Sequence, residues 1–159
     1  MTVETDTRLS SVLEKGQIFV DFRADDIQDA VLRLLVPLFL SIGFSPEAAK
    51  EALDCVIARE RAGSTTSGAV ALPHGRLPGL PRIVAAMGLN ASGVFADAPS
   101  SPKLVLAFVT PGENPADHLR FLSASARILK DVSAVQEMLQ ADDPYAVLGV
   151  IRRLENAGK

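Results

Sequence analysis

Ala71-Leu72-Pro73-His74-Gly75-Arg76 is the stretch on which the reading of this chain turns. Gly68 to Leu72 reads as a short apolar strand, and proline, with no N–H to give to a sheet ladder, should end it at Pro73. His74, one of two histidines in the chain, is then expected at a strand end with its imidazole exposed. Gly75 follows, and a residue without a Cβ lets another molecule approach the backbone. Upstream, Arg59-Glu60-Arg61 closes a helical pattern, and Gly63-Ser64-Thr65-Thr66-Ser67 supplies hydroxyls and flexible backbone. A cation, a hydroxyl-rich turn and a presented imidazole together suggest handling of a phosphoryl group.

Working outward, Ile18 to Phe22 alternates like a strand, after one or two helical turns around Leu9, Val12 and Leu13. A helix should begin at Asp25 or Asp26, with Ile27, Val31, Leu34, Leu35, Leu38 and Ile42 inward. Its apolar residues fill more than one stripe, so broad burial over Ala30–Leu40 is expected, with a kink or break at Pro37 and an end at Gly43. Ser45-Pro46-Glu47 is a strong start for a second helix, whose inward stripe is Ala49, Leu53, Val56 and Ile57. Three strand-like runs follow, Ala69–Leu72, Ile83–Leu89 and Leu104–Val109, parted by turns at Pro78-Gly79 and from Asp97 to Pro102. A helix from Pro115 or Ala116 should face inward through Leu119, Leu122, Ala126 and Leu129. Ser133–Gln140, capped by its serine, and Pro144–Glu155, capped by Asp142-Asp143, complete the order strand, two helices, three strands, three helices. That is an α/β chain, read as one domain over residues 1–159.

Composition narrows the function. With 48% hydrophobic and 22% charged residues the chain is an ordinary globular protein, and its net charge of −3 argues against a nucleic-acid partner. A lone cysteine, Cys55, fits a reducing compartment and reads as an inert small residue on a mostly apolar helix. The amino-terminus, with Thr2, Glu4 and Asp6, lacks the apolar core of a signal peptide, and Ala30 to Phe44 is too short and broken to span a bilayer. A cytoplasmic location without membrane insertion is expected.

A histidine taken alone is more often structural than reactive, but proline before and glycine after His74 describe a presented side chain. Neutral imidazole is nucleophilic near neutral pH and can hold a labile phosphoryl group once a partner fixes its tautomer. His118 follows Asp117 in the first turn of a helix just beyond a strand end, so it lies near a rim. The two matter jointly only if their strands end at the same edge. Arg59 would occupy the last turn of its helix, and its plain reading is a cation at the negative end of the dipole. Two histidines far apart in sequence, one cysteine and no acidic cluster beside them make a poor metal set, and no Gly-x-Ser-x-Gly elbow or Walker sequence is present.

Arg59-Glu60, Gly63-Ser64-Thr65 and Ala71-Leu72-Pro73-His74-Gly75, followed by Phe95-Ala96-Asp97-Ala98, the Leu104–Pro111 strand and His118-Leu119, resemble the enzyme IIA domains of the phosphotransferase system. The branch is the mannitol/fructose type, which includes the nitrogen-related regulatory enzyme IIA. The resemblance implies a three-layer fold with a mixed sheet flanked by helices and the active histidine at the sheet edge. It implies that His74 accepts a phosphoryl group on Nε2 from an HPr-type phosphohistidine carrier, with His118 as second histidine and Arg59 as cation. Ser64 and Thr65 match the loop enclosing the phosphate, with Gly75 beside it, and neither cofactor nor metal is implied. The segment from Thr65 to His74 is one residue shorter than the family's, and Pro78, Gly79 and Pro81 are particular to this chain. Without a permease or IIB segment in the sequence, a free-standing regulator is favoured. The alternatives are a sugar-specific IIA component passing phosphate to a IIB partner, and a binding module of the same fold that signals to a target without phosphorylation.

Overall fold

Seven consecutive residues, Leu104 to Thr110, are buried along one strand, which makes that strand the middle of the molecule. The computed structural model describes residues 6–96 and 98–158, so Thr2, Glu4 and Asp97 of the sequence reading lie outside the described residues. The central strand is β6 (Leu104–Pro111). On one edge it pairs antiparallel with β5 (Val84–Leu89), beyond which β1 (Gln17–Phe19) runs parallel to β5. On its other edge β6 takes two parallel partners in turn, β3 (Val70–Ala71) and β4 (His74–Leu77). An outer strand, β2 (Thr66–Ser67), closes a hairpin with β3 through Gly68, whose φ of 59° suits a residue without Cβ.

Alternation along β6 divides the interior in two. Leu104, Leu106 and Phe108 pack with α1 (Leu9–Glu14), α4 (Pro115–Leu129), α5 (Val132–Leu139) and α6 (Pro144–Ala157). Val105, Ala107 and Val109 pack with α2 (Ile27–Ser41) and α3 (Pro46–Ala62). The result is a mixed sheet between two helical layers.

Helix starts follow the sequence closely. Asp26 caps α2 by accepting from the Asp29 N–H at 2.8 Å, and Ser45 caps α3 from Ala48 at 3.1 Å. Gly43, at φ 95°, ends α2 in a Schellman turn: Phe44 N–H bonds the Phe39 carbonyl, and the two rings stack at 5.3 Å. Asp143 caps α6. α5 departs from expectation, because Asp131 rather than Ser133 supplies the cap and the helix begins at Val132.

Three further differences have physical causes. α4 turns Phe121, Ser125 and Ile128 inward and leaves Leu119 61% exposed. A stripe through Asp117, Phe121, Ser125 and Ile128 shares the helical period but carries two polar residues, which disguises it as an outer face. In α2, Leu34, Leu35 and Leu38 are buried as expected, yet Leu32 and Leu40 within the same span are each 47% exposed, so its cover is one broad face. The helix also continues unbroken through the exposed Pro37.

An interior proline removes one helical hydrogen bond and costs about 3 kcal/mol relative to alanine, offset in part by the stiffer unfolded chain. Pro37→Ala should therefore stabilise the protein by about 1–2 kcal/mol, read as a raised denaturant midpoint. An unchanged or lowered midpoint would mean that the proline is accommodated without loss.

Candidate functional site

β3 and β4 meet β6 with the same offset of 34 residues: Val70 lies opposite Leu104 and His74 opposite Phe108. They are two pieces of one strand path, interrupted at Leu72-Pro73. His74 therefore opens β4 instead of following a strand end, which corrects the expectation from sequence. Proline interrupts the path, but its carbonyl still accepts the Phe108 N–H at 3.1 Å, so the register survives. The phase of the side chains survives with it, and His74 falls on the same face as Phe108.

The imidazole is also less open than expected. His74 is only 8% exposed, stacked on the Phe108 ring at 4.9 Å with 8° between planes. Phe108 in turn meets Phe121 edge-on at 4.8 Å, so the histidine rests on a fixed aromatic floor. His118, on the first turns of α4, brings its ring to 5.5 Å from that of His74. β4 and β6 run parallel, so the strand carrying the first histidine and the strand leading into α4 reach the same edge.

The hydrogen bonds define the chemistry of the pair. Nδ1 of His74 lies 2.6 Å from the Leu72 carbonyl oxygen, which can only accept, so Nδ1 carries the proton. Nε2 is left with its lone pair. Leu72 N–H bonds the Thr65 carbonyl, at the edge away from β6. The His118 Nδ1 lies 2.6 Å from Oγ1 of the fully buried Thr110. When that hydroxyl donates, His118 presents Nε2–H as a donor. Burial lowers the pKa of His74, helped by the Arg59 charge and opposed by the Leu72 hydrogen bond and Glu60. Burial likewise lowers that of His118, with His74 and Arg76 adding to it.

The other candidate residues take different places. Arg59 acts on His74 through its charge, while its Nη1 donates to the Gly63 carbonyl at 3.0 Å. Ser64 accepts from the Thr66 N–H, and Thr65 gives both its N–H and its hydroxyl to Glu60. Both side chains thus fasten their own loop. Gly75 is buried against α3, where an added Cβ would stand 2.8 Å from Cys55 Sγ and 3.3 Å from Val56 N. Its missing side chain admits the helix rather than a visiting molecule, which corrects the sequence reading. Cys55 donates to the Arg76 carbonyl at 3.0 Å and so ties α3 to β4. Sequence reasoning missed Thr110, which looks like any polar strand residue, and the Leu72 carbonyl, which no side-chain pattern reveals. It also passed over Arg76, whose place on the His74 face depends on β4, a strand the sequence did not reveal. Among the described residues no group of three or more His, Cys, Asp or Glu could hold a metal ion, and no helix is long and apolar enough to cross a membrane.

The family model described as phosphoenolpyruvate-dependent sugar phosphotransferase system, EIIA 2, matches residues 11–154. The chain belongs to that family. A nitrogen regulatory protein from Bradyrhizobium diazoefficiens is 32% identical over 101 residues, 62% of this chain and 66% of the relative, so just under two thirds of that relative is spanned. The fold of this EIIA family member is similar to that of the nitrogen regulatory protein IIA-Ntr from Neisseria meningitidis. That structure aligns with a TM-score of 0.76 at 22% identity, covering 90% of this chain and 98% of the other. The mannitol enzyme IIA of Escherichia coli, in its complex with phosphorylated enzyme IIB, aligns with a TM-score of 0.65 at 17% identity, covering 89% and 94%. At these identities the structural likeness speaks for the fold.

Two outcomes follow from the geometry. Gly75→Ala should lower stability by about 1–3 kcal/mol through overpacking, and adding Cys55→Ala should recover most of it. No recovery in the double variant would show that Sγ is not the obstacle. The second concerns pH. Because both imidazoles have pKa values below the ordinary 6.5, the folded state binds fewer protons than the unfolded chain under mildly acidic conditions. Their contribution is complete above that value and is lost as pH falls through the depressed ones. Urea midpoints should drop from about pH 7.5 to about pH 5.5, and less steeply in a His74→Gln/His118→Gln variant. An equal drop in both proteins would contradict the assignment.

Proposed function

We propose that this EIIA family member is a phosphocarrier that accepts a phosphoryl group on His74 Nε2 from an HPr-type phosphohistidine carrier. The observation that carries the reading is the Nδ1–H bond to the Leu72 carbonyl, which leaves Nε2 as the free nucleophile. In the proposed step Nε2 attacks phosphorus in line with the donor's N–P bond. A new N–P bond forms as the old one breaks, and the donor nitrogen keeps the electron pair. Depressed basicity supports this, since a protonated imidazole has no lone pair to offer. His118 would stabilise the site through its Nε2–H, and Arg59 would offset phosphate charge. Ser64, Thr65 and Gly75 hold the enclosing loop and strand in place around the group.

On this reading residues 1–159 act as one IIA-like domain in the cytoplasm, with a regulatory role that the nitrogen-regulatory relative favours. A IIB acceptor is the runner-up, favoured by the likeness to a mannitol IIA solved with its phosphorylated IIB. The carrier, and either the regulatory target or the IIB protein, are then the partners.

Incubation with a phosphorylated HPr-type carrier should add one acid-labile phosphoryl group, and His74→Ala should abolish it. His118→Ala should leave an acceptor that is labelled more slowly, by roughly ten- to a hundredfold, because the nucleophile survives without its partner. Arg59→Ala should slow labelling without removing the acceptor. A wild type that stays unlabelled beside a positive-control enzyme IIA would favour a binding module that signals without phosphorylation. Equal labelling of His74→Ala would refute the mechanism.

A further inference from the structure

We propose that Arg76 is a second cation of this site, compensating the phosphoryl group on His74 independently of Arg59. The proposal rests on the phosphocarrier reading. Arg76 stands two residues beyond His74 on β4, so the pleat turns both toward the same face of the sheet. The register sets Arg76 opposite Thr110, the residue whose hydroxyl meets His118. Its backbone is therefore level with the hydrogen bond that orients the second histidine.

The guanidinium is held without being neutralised. Nη2 donates to the Gly112 carbonyl at 2.7 Å, in the turn between β6 and α4. That turn is itself tightly seated, since a Cβ on Gly112 would stand 2.9 Å from Pro78 N. One anchored donor leaves the rest of the five-donor fork available at an exposed position. The Arg76 charge reaches His118, where it adds to the lowering caused by burial. Among the described residues no carboxylate forms an ion pair with Arg76 or with Arg59.

The nearby acids are engaged elsewhere. Glu60 accepts from Thr65, and Glu113 accepts from the Gly79 N–H. Two uncompensated arginines thus stand beside two histidines whose charged forms burial disfavours, in a chain whose net charge is −3. Arg59 is the cation whose charge His74 feels, and Arg76 is the one felt by His118. A dianionic group bound at Nε2 would meet positive charge on both histidines' sides.

The test compares wild type, Arg76→Lys and Arg76→Gln for the initial rate of labelling by a phosphorylated HPr-type carrier, and for the titration of His118 by NMR. Arg76→Gln should label roughly tenfold more slowly and titrate His118 at higher pH, while Arg76→Lys should restore most of both. Labelling of Arg76→Gln at the wild-type rate overturns this proposal alone. Equal loss in the Lys and Gln variants with an unmoved His118 titration also overturns it, because that pattern belongs to a structural anchor. A wild type that takes no label from any carrier fails the phosphocarrier reading, and this proposal with it.

Discussion

The site depends on one pairing, His74 opposite Phe108 across two parallel strands. That pairing is unusual in its origin, because the chain reaches it through a proline that breaks the strand without shifting it. Had Pro73 introduced a bulge of one residue, the pleat would have turned His74 toward α3 and Gly75 toward α4. The aromatic floor, the second histidine and the carbonyl partner would all have been lost together. The backbone of Leu72-Pro73 thus sets the side of the sheet on which the two histidines meet.

Around that pairing burial and charge act in the same direction. Burial favours uncharged imidazole, and the neighbouring arginines favour it further. A neutral, nucleophilic ring beside positive charge suits the arrival of an anionic reagent. Carboxylates near the site would reverse that preference. Among the described residues Glu60 is the one acid that acts on His74, and its oxygens are occupied by Thr65. The Thr65 hydroxyl therefore restrains an acid, while Ser64 fastens the loop itself.

Much of this was legible in the residues. Ser45-Pro46 and the Asp25-Asp26 pair announced their helices because capping is local chemistry, and His74 and His118 were each placed near a rim. The strand β4 was hidden, since His-Gly-Arg-Leu has no alternation of its own and exists only because β6 accepts it. The inward face of α4 was disguised by Asp117 and Ser125. Gly75 was misread for a related reason: a glycine beside a reactive group looks the same whether it admits a ligand or a helix. Only the position of Cys55 decides between them.

The hydrogen bond from His74 Nδ1 to the Leu72 carbonyl has a consequence for signalling. A phosphoryl group arriving at Nε2 would leave that bond intact, so the ring need neither flip nor change tautomer. The ring already lies flat on Phe108, against a strand buried on both faces. The two states of such a switch would share nearly the same outline and differ in the charge of a small patch of surface. A protein that distinguishes them would do so by where its own charges fall, and added salt would blur the distinction before heat did.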